Sequence, residues 1–148
     1  MAFHFQLQAV LHLRQSIEHQ QELRLRAANQ QVAKAQHLIE QMDARRRQLH
    51  AAQAETLSAG ITAIELQFEL LCDAELLRHR RDLLQQLARL QQQREQQREI
   101  FQQARRARET LEAVRDRKLG EYQEEAARRE QRSIDDLFLM RRTYLRRG

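Results

Sequence analysis

Six histidines and one cysteine are the side chains in this sequence that could bind a metal ion or act as a nucleophile. On a helix, metal ligands need to lie three or four residues apart on one face. No two histidines have that spacing, and His12 and His19, which share a face, lie about 10 Å apart along the axis. We therefore expect surface histidines, no metal site and no cofactor.

The other chemistry-bearing residues also fail to form a catalytic set. Cys72 would need a base and an orienting group in a cleft, so we interpret it as a small buried hydrophobic residue. The adjacent acids Asp135 and Asp136 point about 100° apart on a helix and cannot act as a facing acid–base pair. The three glycines are too far apart for a phosphate-binding loop. The sequence therefore predicts no catalytic residues and a protein that is not an enzyme.

The composition indicates long, mostly solvated helices. Of the 148 residues, 32% are charged, 5% are aromatic and none is proline, which is typical of coiled coils. The net charge of +5 comes from arginines interleaved with acids, so we expect no nucleic-acid partner. A nucleic-acid-binding helical protein is a rival interpretation, and its affinity would fall steeply with salt. The plain basic cluster is Arg141, Arg142, Arg146 and Arg147.

Three features of the sequence predict a cytoplasmic protein. Its lone cysteine fits a reducing compartment. No apolar run approaches the ~18 residues that mark a membrane span. The first residues lack the basic and apolar pattern of a secretory signal.

Residues 57–65 have the pattern of a turn between two helices. Gly60 suits the left-handed position just past a helix end. Thr62 and Glu65 have the spacing of a capping box, which starts a new helix. A connection this short makes the two helices antiparallel neighbours.

The predicted fold is all-α, a long antiparallel two-helix coiled-coil hairpin with its turn at about residues 59–62. We expect one domain, 1–148, with helices at about 3–58 and 63–145. Gly120 permits a break near residue 120, but a glycine inside a helix costs only about 1 kcal/mol relative to alanine. We therefore favour a helix that continues through it.

Apolar residues in the second half of the first helix recur at alternating spacings of three and four, as in the seam of a coiled coil. The second helix has a matching apolar stripe with a polar gap at residues 91–99. A hairpin that turns at Gly60 pairs residues whose numbers add up to about 121 or 122, so Ala35 meets Leu87 and Ile39 meets Leu83. Each arm would be on the order of 80 Å long. Because the helices pair within one chain, we expect a monomer. The alternative is a dimeric coiled-coil scaffold whose helices pair between chains.

Two segments carry more apolar residues than one seam can bury. The start of the second helix is apolar on more than one face around Phe68, which indicates a thicker local core, a third short helix or a partner-binding patch. The tail, residues 133–142, has the pattern of an amphipathic helix with a basic end. Anionic lipid would repel Asp135 and Asp136, so a protein groove suits this tail better than a membrane surface.

The sequence resembles the flagellar FliJ family at three places. The first is the pattern Phe-x-Phe-x-Leu-x-x-Val-Leu-x-x-Arg, residues 3–14, and the second is Gly60-Ile61 before an apolar second helix. The third is the acidic pair 135–136 followed by Arg141 and Arg142. Length and helix layout agree over essentially the whole chain. The tail departs from the family pattern, because residues 138–140 are more apolar than its usual polar helix.

The resemblance implies a component of the flagellar type III export apparatus that is similar to the coiled-coil stalk of rotary ATPases. The implied partners are the hexameric export ATPase FliI, the export-gate protein FlhA and export chaperones. It also implies peripheral association at the cytoplasmic face of the inner membrane. The equivalent stalk of a virulence injectisome is the nearest alternative.

From the resemblance and the two apolar segments we predict two sets of protein-binding residues. The gate-binding set is Leu38, Met42, Phe68, Leu71, Cys72, Leu76 and His79. The ATPase-binding set is Phe3, Phe5, Ile134, Asp135, Asp136, Phe138, Arg141 and Arg142.

Overall fold

The structure, a computed structural model, describes residues 3–146 and consists there of two long helices. Helix α1 spans Gln8–Ala59 with 52 residues, and helix α2 spans Ala63–Arg146 with 84 residues. These described residues contain no strand, and the two helices pack against each other. The predicted all-α hairpin is confirmed.

The turn has the local chemistry that its sequence indicates. Gly60 has a φ of 88°, the left-handed region that a side chain would strain. The Thr62 backbone N–H donates to Glu65 Oε2 at 2.8 Å, and the Glu65 N–H donates to Thr62 Oγ1 at 3.3 Å. This reciprocal pair is the predicted capping box. The hydrogen bond from the Thr62 backbone N–H, followed by one from the Thr62 hydroxyl, lowers the pKa of the Glu65 carboxyl.

The chain divides into two compact units. The first consists of Met1–Glu18 with Gln103–Gly148, and the second consists of His19–Gln102.

Unit 2, which contains the turn, has a thin core. Val32, Ala35 and Ile39 of α1 are buried. No residue of α2 is fully buried, and its contribution is a stripe of half-buried side chains three or four residues apart. That stripe includes Glu69, Asp73, Leu76, Arg80, Leu83, Leu87, Leu90, Arg94 and Gln97. Where the stripe lacks apolar residues, polar side chains therefore continue the contact between the helices. At Gln97, for example, the side-chain amide donates to Gln21 Oε1 at 2.7 Å.

Ion pairs join the two helices of unit 2 across the seam. Arg46 Nε donates to Asp73 Oδ1 at 2.9 Å, and Arg80 Nε donates to Asp43 Oδ1 at 2.6 Å. His50 Nε2 lies 2.9 Å from the same Asp73 oxygen. The Arg46 guanidinium, followed by the His50 ring, lowers the pKa of Asp73 from 3.8 to about 2. The residue numbers of the two arginine pairs add up to 119 and 123, on either side of the register predicted from the turn.

In unit 1, helix α1 begins at Gln8, so the predicted start near residue 3 was wrong. The residues before it make tertiary contacts instead. Phe5 is only 5% exposed, and the Phe3 ring centroid lies 5.6 Å from that of Tyr122 on α2. Burial of these aromatic rings stabilises a non-helical start, which the pattern of helical spacings does not reveal.

Two further contacts organise unit 1. Leu11 is fully buried, and Arg108 of α2 pairs with Glu18 of α1. Helix α2 continues through Gly120 without interruption. An added Cβ at that glycine would meet no atom within 4 Å.

Replacing Gly60 with alanine should lower the free energy of unfolding by about 1–2 kcal/mol, because the left-handed backbone strains any L side chain. Gly120→Ala is the matched control. It should raise the free energy of unfolding by up to about 1 kcal/mol, since Gly120 lies in a helix with open space around it. Urea unfolding, monitored by circular dichroism, measures the free energy of unfolding of both variants. Equal effects at the two sites would contradict this account of the turn.

Replacing Asp73 with asparagine should lower the midpoint of thermal unfolding at pH 7 by about 2 °C, because a half-exposed cross-helix ion pair is lost. Since the folded pKa of Asp73 is below its ordinary value, the stabilisation is complete above pH 3.8 and disappears as the pH falls toward 2. Wild type and variant should therefore converge in acid. Asp82→Asn, at an exposed position that forms no ion pair with any of residues 3–146, should leave the midpoint unchanged. If the midpoints of wild type and the Asp73→Asn variant still differ at pH 2, the Asp73 carboxylate is not the source of the difference.

Candidate protein-binding surfaces

A groove between α1 and α2 near the turn brings together three of the predicted gate-binding residues. Phe68, Cys72 and Leu76 line it from α2. The α1 wall consists of Leu49, Ala52, Gln53 and Thr56. The groove has a volume of about 220 Å³, below the ~300–1,000 Å³ typical of small-molecule pockets. It suits one or two apolar side chains of a partner better than a small substrate.

One of the two charged groups at the groove, the Asp73 carboxylate, is already paired within the chain. Glu69 and Asp73 contribute to its lining. The Asp73 carboxylate is held by Arg46 and His50, and its low pKa keeps it ionised at neutral pH. Side chains that fill well-packed, desolvated pockets contribute most of the binding energy of protein interfaces.

The remaining gate-binding residues lie outside this groove. Leu38, Leu71 and His79 are exposed, and Met42 is half-buried. The expectation that Cys72 is a buried small hydrophobic residue was wrong, because its side chain is exposed. The stripe that α2 turns toward α1 passes through Asp73 and leaves its neighbour Cys72 beside the seam.

The tail of α2 provides the second surface. Every residue from Gln123 to Arg146 is exposed. Its apolar side chains include Ile134 at 53% and Phe138 at 65% exposure. A shallow hollow on this helix is lined by Phe138, Arg141, Arg142, Leu145 and Arg146. Arg147, the last member of the basic cluster, lies outside the described residues.

The charged residues of the tail differ in their local contacts. Asp135 accepts a hydrogen bond of 3.0 Å from the Gln131 amide. Among the described residues, Asp136, Arg141 and Arg142 form no ion pair. These side chains therefore require no intrachain bond to be broken before they meet a partner.

The two N-terminal members of the ATPase-binding set have a different environment from the tail. Phe5 is buried and Phe3 packs against Tyr122. The contact of Phe3 with Tyr122 holds the N-terminal segment on α2 in this conformation. Phe5 could contact a partner only after the segment detaches from α2.

Several surface residues escaped sequence reasoning. The α1 wall of the groove was missed, although Leu49 is the residue that the predicted register places opposite Cys72. The exposed Tyr144 and Leu145 were also missed. The signal for them was the continuation of the 134–138 apolar face by one helical turn and more.

Residues 3–146 have neither a metal-binding cluster nor a membrane-spanning stretch. No group of three or more histidine, cysteine, aspartate or glutamate side chains is placed to hold a metal ion. Neither helix contains, in that range, a stretch apolar and long enough to cross a membrane.

Comparison with known protein families gives one finding that covers nearly the entire chain. The model of the family described as "Flagellar FliJ protein" matches residues 3–148. Comparisons with curated proteins and with solved structures gave no match. The family match agrees with the resemblance at the N-terminal pattern, the turn and the tail, and it favours a flagellar over an injectisome protein. The chain belongs to the FliJ family, and is therefore a component of the flagellar export apparatus.

Proposed function

We propose that this chain is a non-enzymatic stalk that couples the export ATPase to the export gate of the flagellar type III apparatus. In this role it binds the FliI hexamer through its tail and FlhA through the groove near the turn, and it assists export chaperones. It acts at the cytoplasmic face of the inner membrane and associates with the membrane only through the apparatus.

The observation that carries the proposal is the exposed tail. A helix that is solvated on all sides over residues 123–146 needs no exposed apolar face for its own stability, yet it has one at Ile134 and Phe138. Apolar side chains clustered on a surface mark a protein-binding site. The tail contributes nothing to the buried core, which consists of Phe5, Leu11, Val32, Ala35 and Ile39.

The charged exterior of the helices also suits a stalk. Many of its ion pairs join residues three or four apart on one helix, as in Arg105–Glu109 and Arg128–Glu124. Such pairs stabilise a helix locally by a few tenths of a kcal/mol each. They leave a polar surface that can exchange partners as the subunits of a ring change conformation.

The groove supports the second contact. Phe68 is 68% exposed and stands at the edge of an apolar groove whose other wall is on α1. A partner that inserts an apolar side chain there would cover Phe68 and Cys72 together. The gate protein is the partner that we assign to it.

Replacing Phe68 with alanine should weaken binding to the soluble domain of FlhA by about tenfold or more, because a central aromatic contact is lost. Leu70→Ala is the matched control, since Leu70 is similarly exposed on α2 but does not line the groove. Titration calorimetry measures both affinities. Unchanged affinity in the Phe68→Ala protein, with full helicity, would remove the groove from the gate contact.

The full chain should stimulate ATP hydrolysis by the FliI hexamer and saturate near one chain per hexamer. An Ile134→Ala/Phe138→Ala variant should lose most of that stimulation, because the apolar tail face is removed. Leu139→Ala, on another side of the same helix and also exposed, should retain it. Steady-state hydrolysis rates distinguish these cases. Full stimulation by the double variant would show that the ATPase contact lies elsewhere.

A further inference from the structure

The charge pattern of the tail helix is complementary to that of a second copy of the tail in the antiparallel orientation. We propose that, when no other partner covers them, the tails of two copies of this chain pair as antiparallel helices over about residues 134–145. The contact consists of one apolar stripe and two symmetric ion pairs between Asp135 of one copy and Arg142 of the other. This inference does not rest on the proposed function.

The apolar stripe follows from helix geometry. With about 100° per residue, Ile134, Phe138 and Leu145 fall within about 40° of one another. Arg141 lies beside them, and Leu137 and Tyr144 flank the stripe on one side. Ile134, Phe138 and Leu145 are each more than half exposed, so all are available to a second helix.

The charges lie on the opposite edge of that stripe. Asp135 and Arg142 are seven residues apart, so they occupy the same edge with only about 20° between them. In an antiparallel pair of helices, the same edge of both copies comes together. Asp135 then meets Arg142 of the second copy, and Arg142 meets its Asp135. Because the contact is two-fold symmetric, one residue pair produces two ion pairs.

A parallel arrangement does not make these contacts. There, the edge that carries Asp135 and Arg142 faces the other edge of the second helix, where Leu137 and Tyr144 lie. The charge pattern therefore selects the antiparallel orientation. It also places the Arg141 guanidinium near Phe138 of the second copy, where a cation–π contact is favourable.

The affinity should be low. Only about three turns of each helix take part, so the contact is far smaller than a standard protein interface, and we expect a dissociation constant on the order of 10–100 µM. The chain is then the expected monomer when dilute and a dimer when concentrated. Phe138 belongs to the pairing stripe and also to the predicted ATPase-binding set. A protein partner that binds this residue more tightly would therefore displace the second copy.

The test is charge reversal and its rescue in the full chain, followed by sedimentation equilibrium from about 1 µM to 1 mM. Asp135→Arg and Arg142→Asp should each weaken self-association about tenfold, because each places like charges opposite each other twice. The double variant Asp135→Arg/Arg142→Asp should return to within about threefold of wild type. Glu121→Arg is the matched control, since Glu121 is exposed on α2, forms no ion pair within the part of the chain that the structure describes and lies before the paired segment. Circular dichroism of each protein verifies that helicity is unchanged.

Concentration-dependent dimers that are weakened by both single reversals, restored by the double variant and indifferent to Glu121→Arg would support the proposal. A wild-type chain that stays monomeric up to 1 mM would overturn it and leave the tail face to another protein. A double variant as weak as the single variants would overturn the antiparallel pairing. If Glu121→Arg weakens self-association equally, net charge rather than the Asp135–Arg142 pairing controls the association, and this result would also overturn the proposal.

Discussion

Two helices packed only against each other can bury only one stripe from each, and the other features of this structure depend on that constraint. The buried core is small, with Val32, Ala35 and Ile39 in one unit and Phe5 and Leu11 in the other. Most side chains face water, which explains why a chain with 32% charged residues can still be almost wholly helical. Because the fold itself needs few apolar residues, a cluster of exposed apolar residues indicates a binding surface rather than an incomplete core.

A thin seam cannot specify its register by core packing alone, and polar contacts supply part of that specificity. Asp73 is held by Arg46 and His50, and Asp43 by Arg80, each across the two helices of unit 2. In a coiled coil, a polar residue at the seam costs stability but penalises every shifted alignment, because a shift leaves it unpaired. These pairs are half-exposed, so the desolvation cost is small while the alignment penalty remains.

The parts that could be predicted from the sequence are those decided by local chemistry. Gly60, Thr62 and Glu65 determine the turn by backbone conformation and by hydrogen bonds within a few residues. The helical course on both sides follows from composition and spacing. The start of α1 and the exposure of Cys72 could not be predicted in this way. The start of α1 depends on tertiary contacts, the burial of Phe5 and the packing of Phe3 against Tyr122. The exposure of Cys72 depends on which of several adjacent faces of α2 meets α1, since neighbouring helical residues lie about 100° apart.

The tail illustrates how the constraint produces a binding surface. An isolated helix in water must first form an unfavourable nucleus, because its first turn fixes several residues for one hydrogen bond. Here the helix is nucleated by the paired part of α2 and only has to propagate, with support from the Arg129–Glu125 and Arg128–Glu124 pairs. The face at Ile134 and Phe138 is therefore ordered before any partner arrives. A partner that binds it loses little free energy to ordering, so a small apolar stripe is sufficient for a reversible contact.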